Sequence, residues 1–388
     1  MAQVISVAFA RGIPMLWFRK QTVRPGWSEF GGLIASAAHD VLNVNDWSER
    51  PDLRTHVEAT IKGLYSVLAP SSSFVLSYSD APPTVIGELY RGTFVIKSGS
   101  LQVELSGQIY NGGRTGQATV QRMITVLPII ARVQESIGTD VAEFTLALGD
   151  NDYGEHAAFC SANPNCLLLP DSDFLLTGGY RAFREALTNV WIDWELREAI
   201  VFWRGSSTGV ATTEGSYDPD AEPFKVLPRL EMCHRLNRLA NCDVGLTAID
   251  WIVNERTLRL AKEQLSKPWV EKLDQIRFRY LIDIDGMANA WSAPFLAMTM
   301  SACIVKIASP HHFQQWYYGR RLPWEHFIPV STDFSDLETR VEWALSHPKQ
   351  SAEIAQNGFN LAAQLTYEVE VEAAARRLLR LPKRDKTS

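Results

Sequence analysis

Residues 200–210 read IVFWRGSSTGV: an apolar run meets one arginine, and glycines and hydroxyls follow. The run predicts a buried strand, and the small residues predict a loop, Arg204–Gly209, at its carboxyl end. Three uses of that loop are open: a phosphate cradle, a nucleophile turn around Ser206 or Ser207, or a plain surface turn. The stretch lacks both the lysine of a Walker loop and the G-x-G-x-x-G spacing of a dinucleotide fold. Ser207 fits the bare G-x-S-x-G pattern, but polar text follows Gly209 where a nucleophile elbow needs a helix. What remains is a set of N–H groups, hydroxyls and a guanidinium, which suits an anion such as a diphosphate.

Outward from the motif the text alternates between strand and helix. Downstream, Pro228 suits the first position of a helix, PRLEMCHRLNRLA. Then come a strand, CDVGLTAI, a second, FRYLIDID, a helix near 291–301, and a third strand, CIVKIA. Strand–helix–strand units imply parallel pairing with both faces of the sheet covered. Ligands bind outside the carboxyl ends of such strands, so Arg204–Gly209 and Asp285–Ser292 should share one face of one domain. Asn289 and Ser292 are expected to cap the helix that follows. Asp283 and Asp285 form a D-x-D string on one face of a strand end, consistent with a metal site or a solvated terminus. Ser335 and Glu338 have the spacing of a capping box, ahead of helical text that runs to the C-terminus.

Upstream, residues 28–69 read as helical, 72–79 as a strand, and 90–110 as a hairpin around 98–100. A helix over 115–136 leads into AEFTLALGDND, a strand that breaks at a polar loop. Residues 180–198 read as a further helix. The GDNDYGEH loop, 149–156, offers a carboxylate at a strand end as a general base, although Gly, Asn and Asp are also ordinary turn residues.

The chain has 388 residues, 46% of them hydrophobic and 21% charged, enough for two domains with cores of their own. A net charge of −6 argues against a general nucleic-acid binder. Five cysteines make no disulfide framework, and Cys160 and Cys166 read as free thiols. Twelve tryptophans fit core packing better than a sugar-binding surface. The N-terminal stretch MAQVISVAFARGIPMLWFRK is a poor signal peptide, and no apolar run is long enough to span a membrane.

Laid side by side, several segments resemble glycosyltransferase family 90. They are WELREAIVFWRGSSTG, Arg229 near the start of the following helix, RFRYLIDIDG with NAWS, CIVKI, and LPWEHFIPVSTDFSDLETRVEWAL. The likeness covers about residues 150–359. It implies an α/β, GT-B-like architecture of two Rossmann-like domains facing a cleft. Their expected bounds are 1–195 for the acceptor side and 196–355 for the nucleotide-sugar side, with helices over 356–388 returning to the first. It also implies an inverting glycosyltransferase that moves glucose or xylose from a UDP-sugar to a hydroxyl of a lipopolysaccharide, capsule, other glycan or protein. No cofactor and no metal are expected. By the resemblance, Arg204, Gly205, Ser206, Arg229, Met287, Ala288, Asn289, Ala290, Trp291 and Ser292 bind the donor. Asp152 is the catalytic base, with Asp150 as its fallback, and His326 lies in the P-W-x-H motif without an assigned contact. Many relatives carry an arginine where this chain has Pro294 or Ser292. The lack of a recognisable signal or retention sequence predicts a cytoplasmic setting, at the inner face of a membrane. Two other classes remain: a non-catalytic sugar-nucleotide or glycan binder of the same fold, and a hydrolase using Ser206 or Ser207.

Overall fold

In a computed structural model the described residues are 34, 53–79, 90–111, 114–209, 222–249, 252 and 254–381. Residues 1–20, most of the helical reading before Leu53, and most of the polar stretch after Gly209 lie outside them. The chain divides into two units. One holds the residues up to Ala182 together with those from Thr366, and the other is Phe183–Leu365.

In the first unit, α1 (Leu53–Leu68) buries Leu53, Val57, Ile61, Leu64, Tyr65 and Leu68, the three-and-four spacing of a single helical face. Six strands follow: β1 (Ser73–Ser79), β2 (Arg91–Lys97), β3 (Ser100–Ser106), β4 (Val141–Ala147), β5 (Ala157–Ala158) and β6 (Leu167–Leu168). They form one sheet in the order β1-β3-β2-β4-β5-β6. The expected hairpin joins β2 to β3 through Gly99, whose φ of 76° is a left-handed conformation that glycine adopts without a Cβ clash. That tight reversal makes β2 antiparallel to both β3 and β4. The sheet is therefore mixed, unlike the parallel sheet of a Rossmann-like domain. Helices α2 (Arg114–Ser136) and α3 (Ser172–Leu176) belong to this unit, as does the terminal helix Tyr367–Leu378. Arg132 on α2 bonds Glu372 on that helix at 2.7 Å.

The second unit has five parallel strands: β7 (Glu198–Ser206), β8 (Cys242–Ala248), β9 (Phe278–Asp283), β10 (Cys303–Ile307) and β11 (Ile328–Val330). Their order is β11-β10-β9-β7-β8. The helix α4 (Arg181–Val190) leads in. The crossovers carry α5 (Pro228–Leu236), α6 (Glu255–Leu265) and α7 (Ser292–Thr299), and α8 (Leu337–Ser346) and α9 (Pro348–Gln364) follow the last strand. Val201, Trp203, Val244, Tyr280, Ile282 and Val305 are buried beneath Leu230, Met232, Leu337 and Val341. Burial on both faces explains why these strands read as continuous apolar runs.

Two local expectations are corrected. The helix expected to reach Glu198 stops at Val190, and a short 3-10 turn, Trp194–Leu196, precedes β7. Tertiary contacts hold that turn: Trp194 meets Tyr280 edge-on with centroids 5.8 Å apart, and Arg279 donates to the carbonyls of Trp194 and Glu195. The capping box at Ser335 does not form. Asp336 occupies the cap position, and the Ser335 hydroxyl donates to Asp333 at 2.8 Å, inside the preceding turn. All five cysteines are free. Among the described residues no helix is long and apolar enough to cross a membrane.

Candidate active site

Strand β7 does not end before the arginine. It continues through Arg204 and Gly205 to Ser206, with Arg204 opposite Gly245 and Gly205 opposite Leu246 on β8. Even the Ser207 N–H is used, donating to Ala248 O at 3.0 Å. The expected loop of open amides thus begins only at Thr208. Gly205 has a different reason to be there: a Cβ at this position would lie 2.6 Å from the Trp203 ring. Glycine makes room for the tryptophan.

The two arginines near this strand end are bound differently. Arg204, 8% exposed, places Nη2 2.8 Å from both carboxylate oxygens of Asp243 and donates through Nε to Pro268 O at 3.1 Å. Lys267 joins the same carboxylate at 2.7 Å. Burial pushes the Asp243 carboxyl up, but its bonds to Lys267 and Arg204 outweigh burial and hold it below the usual range. The guanidinium of Arg204 is thus bonded to a carboxylate and to backbone carbonyls.

Arg229, the second residue of α5 and also buried, has only neutral acceptors among its hydrogen-bond partners. Nη1 donates to Ser206 O at 3.2 Å and to Thr208 Oγ1 at 3.1 Å. Nε reaches Asp285 O at 2.9 Å, and Nη2 reaches Ile284 O at 3.2 Å. One side chain thus stitches the end of β7 to the end of β9. Gly286 permits the approach, since a Cβ there would sit 3.0 Å from Arg229 Nη2. Burial pulls the guanidinium down to about 10, which leaves it cationic at neutral pH. The Ser206 and Thr208 hydroxyls bond each other at 2.8 Å.

Beyond β9 the D-x-D carboxylates diverge. Asp283 is buried against Lys306 at 3.0 Å and Arg321 at 3.2 Å. Burial would raise its carboxyl, and these two cations more than compensate and lower it. Asp285 lacks such a close pair, and burial pushes it up to about 6 against the pull of Lys306. In the turn, Met287 is exposed and Ala288 buried, and Ala288 O accepts the Gly286 N–H at 2.8 Å. Asn289 does not cap α7. Its Oδ1 accepts from Trp291 N at 2.9 Å and from Gln315 Nε2. Trp291, at φ 48°, is the cap residue, with no capping side chain. Ala293 N donates to Ala290 O and Pro294 has no N–H. Of the first three helical residues only Ser292 therefore offers its amide. The structure brings Ser206, Arg229 and the 285–292 turn together through Arg229, and separates Arg204 from them by its bond to Asp243.

In the first unit, the loop after β4 separates the two candidate bases. Asp150 is ion-paired to Arg122 at 2.7 Å. Asp152 is held by neutral donors: Gly154 N at 2.8 Å on Oδ1 and the Ser161 hydroxyl on Oδ2. Tyr153 and Gly154, at φ 50° and 82°, fold the chain back for the first of these contacts. His326 accepts the Leu322 N–H through Nδ1 at 3.1 Å, a turn-fixing role. Thr208 lay within the motif, but Asp243, Gln315 and Ser161 carried no signal, because each meets its partner only through the fold.

A family model described as glycosyl transferase family 90 matches residues 178–371, half of the chain. The chain is 28% identical over 123 residues to protein O-glucosyltransferase 3 of Homo sapiens, covering 32% of this chain and 23% of that protein. It is 25% identical over 190 residues to protein O-glucosyltransferase 1 of Rattus norvegicus, covering 47% and 41%. Uncharacterized protein 035R of Invertebrate iridescent virus 3 is 31% identical over 85 residues, covering 22% and 8%. The chain thus spans less than half the length of each of these relatives.

Proposed function

The chain belongs to glycosyl transferase family 90, and from that premise we propose that it transfers a sugar from a UDP-sugar to an acceptor hydroxyl with inversion and without a metal. The observation that carries the reading is the knot at the ends of β7 and β9. There a buried cation with neutral hydrogen-bond partners, Arg229, stands beside two hydroxyls. Its hydrogen-bond partners are dipoles, and Asp285 and Asp283 act on it through space without a direct ion pair, so a diphosphate can bring the directly bonded negative charge that the protein does not. The division into two units and the parallel sheet of the second support a GT-B-like organisation, from which the mixed sheet of the first departs.

The chemistry asks for a base and for stabilisation of a leaving group. An acceptor hydroxyl has a pKa far above neutral. Asp152 takes its proton while the oxygen bonds to the anomeric carbon from the face opposite the diphosphate. The bond from that carbon to the diphosphate oxygen breaks through an oxocarbenium-like transition state. The electron pair leaves with UDP, whose charge Arg229 and the Ser206 and Thr208 hydroxyls stabilise.

Relatives named protein O-glucosyltransferases support glucose as the donor sugar, with xylose next. The acceptor is a hydroxyl of a glycan, such as lipopolysaccharide or capsule, or of a protein, met in the cytoplasm at the inner face of a membrane. Calorimetric titration with UDP-glucose, UDP-xylose and other UDP-sugars tests the donor. Binding of one of the first two is expected, and no binding to any UDP-sugar contradicts the proposal.

A further inference from the structure

We propose that Ser161 is a positioning residue for Asp152, fixing the carboxylate at the orientation needed to accept the acceptor's proton. The inference rests on the proposed role of Asp152 and adds a residue to it. Ser161 is 1% exposed and follows the buried strand β5 after only Phe159 and Cys160. Its oxygen accepts the Asn163 N–H at 2.8 Å. Its one proton has two acceptors within reach, Asp152 Oδ2 and Asn163 O at 3.3 Å, and the carboxylate contact is much the shorter. The Gly154 N–H holds the other oxygen, so rotation of the carboxylate is blocked from both sides. Each carboxylate oxygen has two acceptor directions. One on each is filled by the protein, and one on each remains for the incoming hydroxyl. Both donors are neutral, so they aim the carboxylate without neutralising it, in contrast to Arg122 on Asp150.

The test measures UDP release from UDP-glucose by the full-length chain, with water as acceptor, for wild type, Ser161→Ala, Ser161→Thr, Ser161→Cys, Asp152→Asn and the double variant Asp152→Asn/Ser161→Ala. A misaimed base loses rate rather than donor affinity, so Ser161→Ala should lower kcat by about tenfold or more with KM changed less than about twofold. Threonine, which keeps the hydroxyl, should restore most of kcat. Cysteine, near in size but a weak donor, should stay close to alanine. In the Asp152→Asn background the alanine change should cost less than about twofold, because its target is gone. Wild-type kcat in Ser161→Ala alongside a strongly slowed Asp152→Asn overturns this inference and leaves the base assignment standing. An equal loss in both backgrounds also overturns it. Full activity in Asp152→Asn overturns the base assignment and the inference with it.

Discussion

The strand end after β4 in the first unit and the strand ends of β7 and β9 in the second solve one electrostatic problem with opposite signs. Each places two like charges close in sequence or space and ion-pairs only one of them directly. Asp150 is paired with Arg122, while Asp152 is held by a backbone N–H and a hydroxyl. Arg204 is paired with Asp243, while Arg229 is held by carbonyls and a hydroxyl. A charge met by its opposite gives geometry to the fold and little field beyond it. A charge held by dipoles keeps more of its field for a ligand. On the proposed function, the difference between the two kinds of partner, rather than residue type, separates scaffold from site.

The largest effect that could break this comparison is catalytic. Asp152→Asn should reduce transfer by about 10³-fold, whereas Asp150→Asn should stay within about tenfold of wild type, both read as initial rates with a UDP-sugar. Next is stability. Asp285 has its carboxyl raised by burial to about 6, so it binds a proton more tightly folded than unfolded. Its contribution is complete below about 4 and is lost as pH rises through about 6. Asp285→Asn should thus gain about 2–3 kcal/mol at pH 7 and show a flatter stability profile between pH 4 and 6 in denaturant titrations. Arg204→Met should cost about 2 kcal/mol by the same measurement, because Asp243 loses a buried partner but keeps Lys267 and some solvent. The smallest effect is at Gln315. Replacing it with alanine removes two bonds to the 289–291 turn and should cost about 1–2 kcal/mol.

Much of the second unit was legible in its residues. Pro228 at the helix start, the apolar strands and the parallel order all follow from local chemistry and from the length of the crossovers. The co-location of the 204–209 and 285–292 segments was legible too, because β7 and β9 are parallel neighbours. The role of each polar side chain there was not. Arg204 and Arg229 look alike in sequence, and only the fold reveals that Asp243, 39 residues further on, claims the first. Gly205 looked like an amide cradle because the crossing of the Trp203 ring is a packing event. Capping by Asn289 failed for a similar reason: Gln315, 26 residues away, competes for the same oxygen. In the first unit the hairpin was readable from alternation, but its effect of reversing β2 within the sheet was not.

The most direct test of the account is calorimetric titration of UDP-glucose into two variants compared with wild type. One is Arg229→Met, and the other is Arg204→Met combined with Asp243→Leu, which removes the ion pair as a whole. The account predicts that the first loses about 10- to 100-fold in affinity, the cost of about 1.5–3 kcal/mol for a charge-assisted contact, while the second stays within about threefold. Equal losses in the two, or a loss only in the second, would contradict it.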